Sequence, residues 1–101
     1  MEKRRVVVTG LGMVSPVGLN VKESWDNILA GKSGVETISS FDASGFTTQI
    51  SGSVRNFDVT DYMPAKEARK MDTFIHFGIA AAKQAFDDSG IEVTDANAHR
   101  I

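Results

Sequence analysis

The chain has 101 residues, 42% of them hydrophobic, with no cysteine, two histidines and a formal net charge of −2. That is material for one domain at most, since ordinary domains run roughly 100–150 residues, and it excludes a disulfide scaffold, a Cys-ligated zinc site and a Cys nucleophile within these residues. The slight acidic balance excludes a generally basic nucleic-acid binder, and no apolar run approaches the roughly 18 residues of a membrane span.

The chain opens with charge at Lys3, Arg4 and Arg5, then the short β-branched run Val6, Val7, Val8 before Thr9 and Gly10. No long apolar signal region follows, so a cytoplasmic, reducing setting is expected. A non-alternating β-branched run predicts a buried, parallel strand over residues 4–8. Gly10, Gly12, Pro16 and Gly18 then predict a loop. Asn20 with Glu23 has the spacing of a capping box. Val21, Trp25, Ile28 and Leu29 share one helical face, which is expected to point at a core, and Gly31 is placed to end that helix. Strand, loop and helix in this order open an α/β unit.

Residues 34–56 are rich in Gly and Ser, and alternation over 48–54 predicts a short half-exposed strand. Residues 57–63 suggest a turn, and Pro64 suits the first position of a short helix. The strongest helix runs over 72–89. Asp72 is its expected cap, Gly90 its expected terminator, and Phe74, Ile75, Gly78, Ile79, Ala82, Ala85 and Phe86 its expected apolar face. Residues 91–99 are a polar exit, and a second core strand is expected to start at Ile101. One long helix and one strand do not complete a β-α-β repeat, so residues 1–101 are expected to be an incomplete domain.

Few residues carry chemistry. The glycines of 10–18 follow a strand as a dinucleotide fingerprint does, but Ser15 stands where the third glycine belongs and Pro16 interrupts the turn. Tight turning or close packing explains them better. Ser15 lacks the neighbours of a nucleophile elbow. His76 reads as a packed or surface helix residue. Asp87 and Asp88 are adjacent and so point in different directions around a helix. Lys66, Arg69 and Lys70 are the one local charge feature, three cations at helical spacing beside the single anion Glu67. Composition alone favours a solvated face with a Glu67 to Lys70 pair over a docking patch.

Several stretches together carry a resemblance. They are Arg4 through Gly18, then Ser24-Trp25, Leu29-Ala30-Gly31-Lys32-Ser33-Gly34, Phe41-Asp42, Lys66-Glu67-Ala68-Arg69-Lys70-Met71-Asp72, and Asp88-Ser89-Gly90-Ile91. With them the whole chain resembles the N-terminus of the type II β-ketoacyl-[acyl-carrier-protein] synthases (synthase II), condensing enzymes of fatty-acid synthesis. The resemblance implies the first part of an α/β, thiolase-like fold, five-layered (αβαβα) when complete, in a homodimeric enzyme. It implies a decarboxylative Claisen condensation of acyl-ACP with malonyl-ACP, run by a Cys and two His that lie beyond residue 101. No catalytic residue, metal ligand or cofactor site is therefore expected in this chain. Carrier-protein docking at Lys66, Arg69 and Lys70 is what the resemblance adds, and it reverses the balance drawn from composition. Two other readings stay open: a nucleotide-binding α/β domain on the 10–18 loop, and a non-catalytic module that only binds acyl carrier protein.

Overall fold

The computed structural model describes residues 2–101. In chain order its elements are α1 (Val21–Leu29), β1 (Val35–Thr37), β2 (Ile50–Gly52), a 3-10 turn (Val59–Asp61), α2 (Ala65–Ala68), α3 (Thr73–Ser89) and a second 3-10 turn (Ala98–Arg100). The long helix has the bounds its sequence predicts. Asp72 is its N-cap, but through its backbone: its carbonyl accepts from Ile75 N–H and its side chain makes no cap bond. Gly90, at φ 70°, closes the helix in the left-handed region that suits glycine.

Small side chains along α3 let another segment lie against it. A Cβ built on Gly12 would stand 1.8 Å from the Ala81 carbonyl oxygen, and one on Gly10 would stand 2.2 Å from that of Ala85. Both glycines therefore bring the N-terminal segment into backbone contact with the helix. Two polar side chains of α3 complete the seam. Leu11 N–H donates to Asp88 Oδ2 at 3.0 Å, and Met13 N–H donates to Gln84 Oε1 at 3.0 Å. The strand expected over residues 4–8 is not formed, because a strand is defined by a ladder and no described backbone pairs with this one. Val6, Val7 and Val8 are exposed, where burial was expected.

Ser15, Pro16, Val17 and Gly18 make a tight turn closed by Ser15 N–H to Gly18 O at 2.8 Å and by the reverse bond at 3.2 Å. Asn20 Oδ1 then caps α1 by accepting Glu23 N–H at 2.8 Å, as its spacing predicts. The reciprocal arm of the box reaches one residue further back, with Leu19 N–H donating to Glu23 Oε2. Gly31, at φ 73°, ends α1 with a Schellman pair, Lys32 N–H to Asn27 O and Gly31 N–H to Ile28 O. The apolar face of α1 does not meet a core. Trp25 is 58% exposed, and Ile28 and Leu29 are exposed too. The face turned inward is polar. Ser24 is 1% exposed and shares a 2.9 Å hydroxyl contact with Ser15, while Asn27 donates to the Val17 carbonyl. Hydrogen bonds to the turn, not apolar burial, orient this helix within the described residues.

β1 and β2 pair antiparallel, Val35 opposite Gly52 and Thr37 opposite Ile50. β2 lies inside the strand expected over 48–54; β1, in the Gly- and Ser-rich stretch, was not anticipated. Gly34 and Gly52 leave room for the Pro16 ring, which seats this ribbon against the turn. Beyond it Phe57 stacks on Tyr62, with centroids 5.9 Å apart, and meets Phe77 of α3 edge-on at 5.1 Å. Of the apolar face expected on α3, Phe74, Gly78, Ala82 and Phe86 are exposed, whereas Phe77, Ala80, Ala81 and Gln84 point inward. Residue 101 starts no strand; it follows the second 3-10 turn and has no ladder partner.

The glycine seam generates a prediction. Gly12→Ala forces backbone apart from backbone and is expected to cost about 1–3 kcal/mol of stability, the range of an overpacked core. Gly45→Ala, where a Cβ meets nothing within 4 Å, is expected to stay within about 0.5 kcal/mol. Urea unfolding of the two variants beside the parent checks both; equal midpoints would show that the segment is free to move off the helix.

Candidate functional site

The three cations singled out by their spacing lie on and just beyond α2. Pro64 is the N-cap of this helix, φ −60° and ψ 141°, and not its first turn position as expected. An extended residue with no N–H to contribute suits a cap as well as it suits the first turn. Ala68 and Arg69 N–H close true α-helical bonds to Pro64 and Ala65, and Lys70 and Met71 N–H then bond only three residues back, tightening the last turn. Lys66, Arg69 and Lys70 are all exposed. The Glu67 to Lys70 pair anticipated from composition is present at 3.4 Å, between side chains both open to water. Among the described residues Lys66 and Arg69 make no ion pair. The patch thus keeps two unpaired cations and one loosely engaged.

A four-residue helix is too short to hold a position by itself. On one side Ala68 is 5% exposed and anchors it inward. His76 of α3 reaches across with Nε2 2.8 Å from the Ala68 carbonyl oxygen. On the other side the 3-10 turn Val59–Asp61 packs against it. That turn is capped by Asp58, whose Oδ1 accepts from Thr60 N–H at 2.9 Å and from the Thr60 hydroxyl.

The remaining candidates are structural. Ser15 Oγ accepts from Gly18 and Val17 N–H and touches the Ser24 hydroxyl, so it holds the turn. The 10–18 loop offers no phosphate cradle along its glycines, because helix backbone already fills that side. Its inner N–H groups are taken, one of them by the carboxylate of Asp88, which repels an anion. Asp87 pairs with Lys83 at 2.8 Å, and Asp88 is spent on Leu11, so the two do not act together. An open groove beside them is lined by Leu11, Val21, Trp25, Gln84, Asp87 and Asp88, with no nucleophile paired to a base. Among the described residues no cluster of three or more His, Asp or Glu is arranged to hold a metal ion. No described helix is long and apolar enough to cross a membrane.

The family model for the β-ketoacyl synthase N-terminal domain matches residues 3–101. The chain belongs to that family. Relatives named 3-oxoacyl-[acyl-carrier-protein] synthase 2 are 57% identical in Vibrio harveyi, 52% in Coxiella burnetii and 40% in Synechocystis, each over the whole of this chain. The chain spans about a quarter, 24%, of the length of each of these synthases. A solved structure, the ishigamide ketosynthase/chain length factor, superposes with a TM-score of 0.76 at 33% identity, over 90% of this chain and 23% of that one. The mixed helix and strand content is therefore the opening portion of a thiolase-like, α/β ketosynthase fold, as the resemblance implies.

Of two residues that order this segment, Gln84 went unsingled in the sequence, and His76, read there as a packed or surface helix residue, is packed and has a partner that the sequence did not name. Gln84 is bonded to three separate parts of the chain, and His76 grips α2. The available signal was positional: a Gln and a His among the Ala, Ile and Phe residues of the long helix. Apart from the Tyr62 hydroxyl, their partners are backbone carbonyls and an amide, which no side-chain motif encodes.

The cap beside α2 carries a pH dependence. Hydrogen bonds from Thr60, its side chain first and then its backbone, hold the Asp58 carboxyl below its ordinary value. A depressed folded-state value means that the cap stabilises fully above the unfolded carboxylate range and fades as pH falls through the folded value. Protection of the Thr60 amide, its exchange rate relative to an unstructured peptide at the same pH, is therefore expected to fall on acidification below about pH 4. Asp58→Asn, which keeps an acceptor but no titrating group, is expected to flatten that response. An unchanged acid response in the variant would remove Asp58 as its source.

Proposed function

We propose that the protein carrying this segment is a 3-oxoacyl-[acyl-carrier-protein] synthase of type II. It would extend an acyl chain held on acyl carrier protein by two carbons from malonyl-ACP, with loss of CO₂. The observation that carries this reading is the family match over residues 3–101, at up to 57% identity to enzymes of that name. In this reading residues 1–101 form the N-terminal part of the synthase domain and contribute no group to the bond-making step. The thiolate and the two imidazoles that run it belong to later residues. A homodimer, a cytoplasmic location and independence from any cofactor belong to the same reading.

The part assigned to these residues is recognition. Acyl carrier protein presents acidic helices, and Lys66, Arg69 and Lys70 offer it an exposed cationic turn in a chain that is otherwise slightly acidic. Each exposed ion pair is worth only roughly 0.2–1 kcal/mol, but long-range steering acts on their summed field. Such a patch selects the carrier and speeds encounter without touching the reacting thioester. A module that binds carrier protein without catalysis is the second reading, favoured by the same turn. The nucleotide-binding reading loses its ground, since the glycine loop is packed against α3.

Reversing all three charges (Lys66→Glu, Arg69→Glu, Lys70→Glu) in the full-length protein is expected to raise KM for acyl-ACP by roughly tenfold or more at low salt. Added salt is expected to weaken the parent more than the variant, because screening removes an attraction that the variant lacks. Initial rates of β-ketoacyl product formation across a salt series test this. An unchanged KM at low salt would place docking elsewhere, and a parent protein with no condensing activity would favour the binding module.

A further inference from the structure

We infer that His76 is a positioning residue for the cationic turn: its bond to the Ala68 carbonyl holds Arg69 and Lys70 in the arrangement that docks an acidic carrier. This rests on the docking reading above and names the device that makes it work. The argument begins with a deficit. α2 has four residues, and nucleating so short a helix is unfavourable in water. Its last turn, where Arg69 and Lys70 sit, relies on three-residue bonds to Glu67 and Ala68. Long cationic side chains on a loose backbone lose much of their pairing energy to the cost of ordering.

His76 removes that looseness. A carbonyl oxygen only accepts, so the ring must donate through Nε2–H across the 2.8 Å contact. The Ala68 carbonyl also accepts Met71 N–H at 3.2 Å, so both its acceptor positions are used. This carbonyl belongs to the peptide that leads into Arg69. Residues 69–72 are thereby pinned at both ends to one rigid body. At one end His76 grips Ala68, and at the other the Asp72 carbonyl accepts Ile75 N–H of α3. The imidazole is half-buried and turned inward, so it acts through Ala68 and not by touching the partner.

The test uses three full-length variants: His76→Ala, His76→Gln, and the triple charge reversal at 66, 69 and 70. His76→Ala is expected to raise KM for acyl-ACP about two- to tenfold, the equivalent of one net hydrogen bond, with kcat little changed. Amide exchange is expected to quicken at Lys70 and Met71 and not along the rest of α3. His76→Gln, whose carboxamide N–H can reach the same carbonyl, is expected to restore both. If His76→Ala leaves KM unaltered while the triple reversal raises it, the positioning role is wrong and the docking reading stands. If the triple reversal also leaves KM unaltered, both fall. A fall in kcat together with faster exchange throughout α3 would overturn the proposal by making His76 a general stabiliser. Failure of His76→Gln to rescue would overturn it by showing that the bond to Ala68 is not what matters.

Discussion

The arrangement of these residues depends on one carboxamide. Gln84 accepts Met13 N–H through Oε1, and through Nε2 it donates to the Leu19 carbonyl and to the Tyr62 hydroxyl, both at 2.8 Å. Those three partners belong to the N-terminal segment, the lead into α1 and the aromatic cluster beside α2. Only a side chain with an acceptor and two donors on one rigid plane serves all three. A carboxylate would lack the donors, and an apolar residue would leave two backbone groups without their partner. Each such bond is worth about 1 kcal/mol net, and the part-buried Leu19 carbonyl would besides be left without a partner. The value of Gln84 lies in what it prevents as much as in what it adds.

Around that hub, backbone contact replaces the side-chain interdigitation of an ordinary core. Gly10 and Gly12 lie directly against the Ala-rich turns of α3, and the fully buried side chains are small: Ser24 and Ala80. Large apolar residues such as Trp25, Ile28, Leu29, Phe74 and the valines at 6–8 remain exposed. Hydrogen bonds and close glycine contacts therefore set the geometry of the described residues, while most of their apolar payload is uncommitted. The synthases that this chain matches are about four times its length.

The cationic turn shows how a weak element acquires a definite place. Neither its length nor its charge would order it. Asp58 caps the turn before it, Ala68 buries its inner side, and His76 binds its last carbonyl. The cations themselves take no part in that anchoring, except for the exposed contact between Lys70 and Glu67. Anchoring and charge are divided between the two sides of one helical turn, so the charge can face outward at no cost in desolvation.

By itself the sequence determined what local chemistry determines. Asn20 and Gly31 bound α1, Asp72 and Gly90 bound α3, Gly10 and Gly12 act by close packing, and the ion pair between Glu67 and Lys70 forms; capping, positive φ, steric bulk and helical spacing are each decided within a few residues. Its longer motifs were also specific enough to carry the family. The rest waited for the tertiary structure. Whether residues 4–8 form a strand depends on a partner in a ladder, which periodicity cannot supply. The apolar stripe of α1 was legible, yet its inward face proved to be Ser24 and Asn27, because the turn at 15–18 presents polar atoms there. β1 was not legible, since Val35, Glu36 and Thr37 have no pattern of their own and become a strand only through their ladder with Ile50, Ser51 and Gly52. Gln84 and His76 acquire their roles mostly from backbone groups, at sequence separations of up to 71 residues for Gln84 and 8 for His76, and a backbone group looks the same at every position of a sequence.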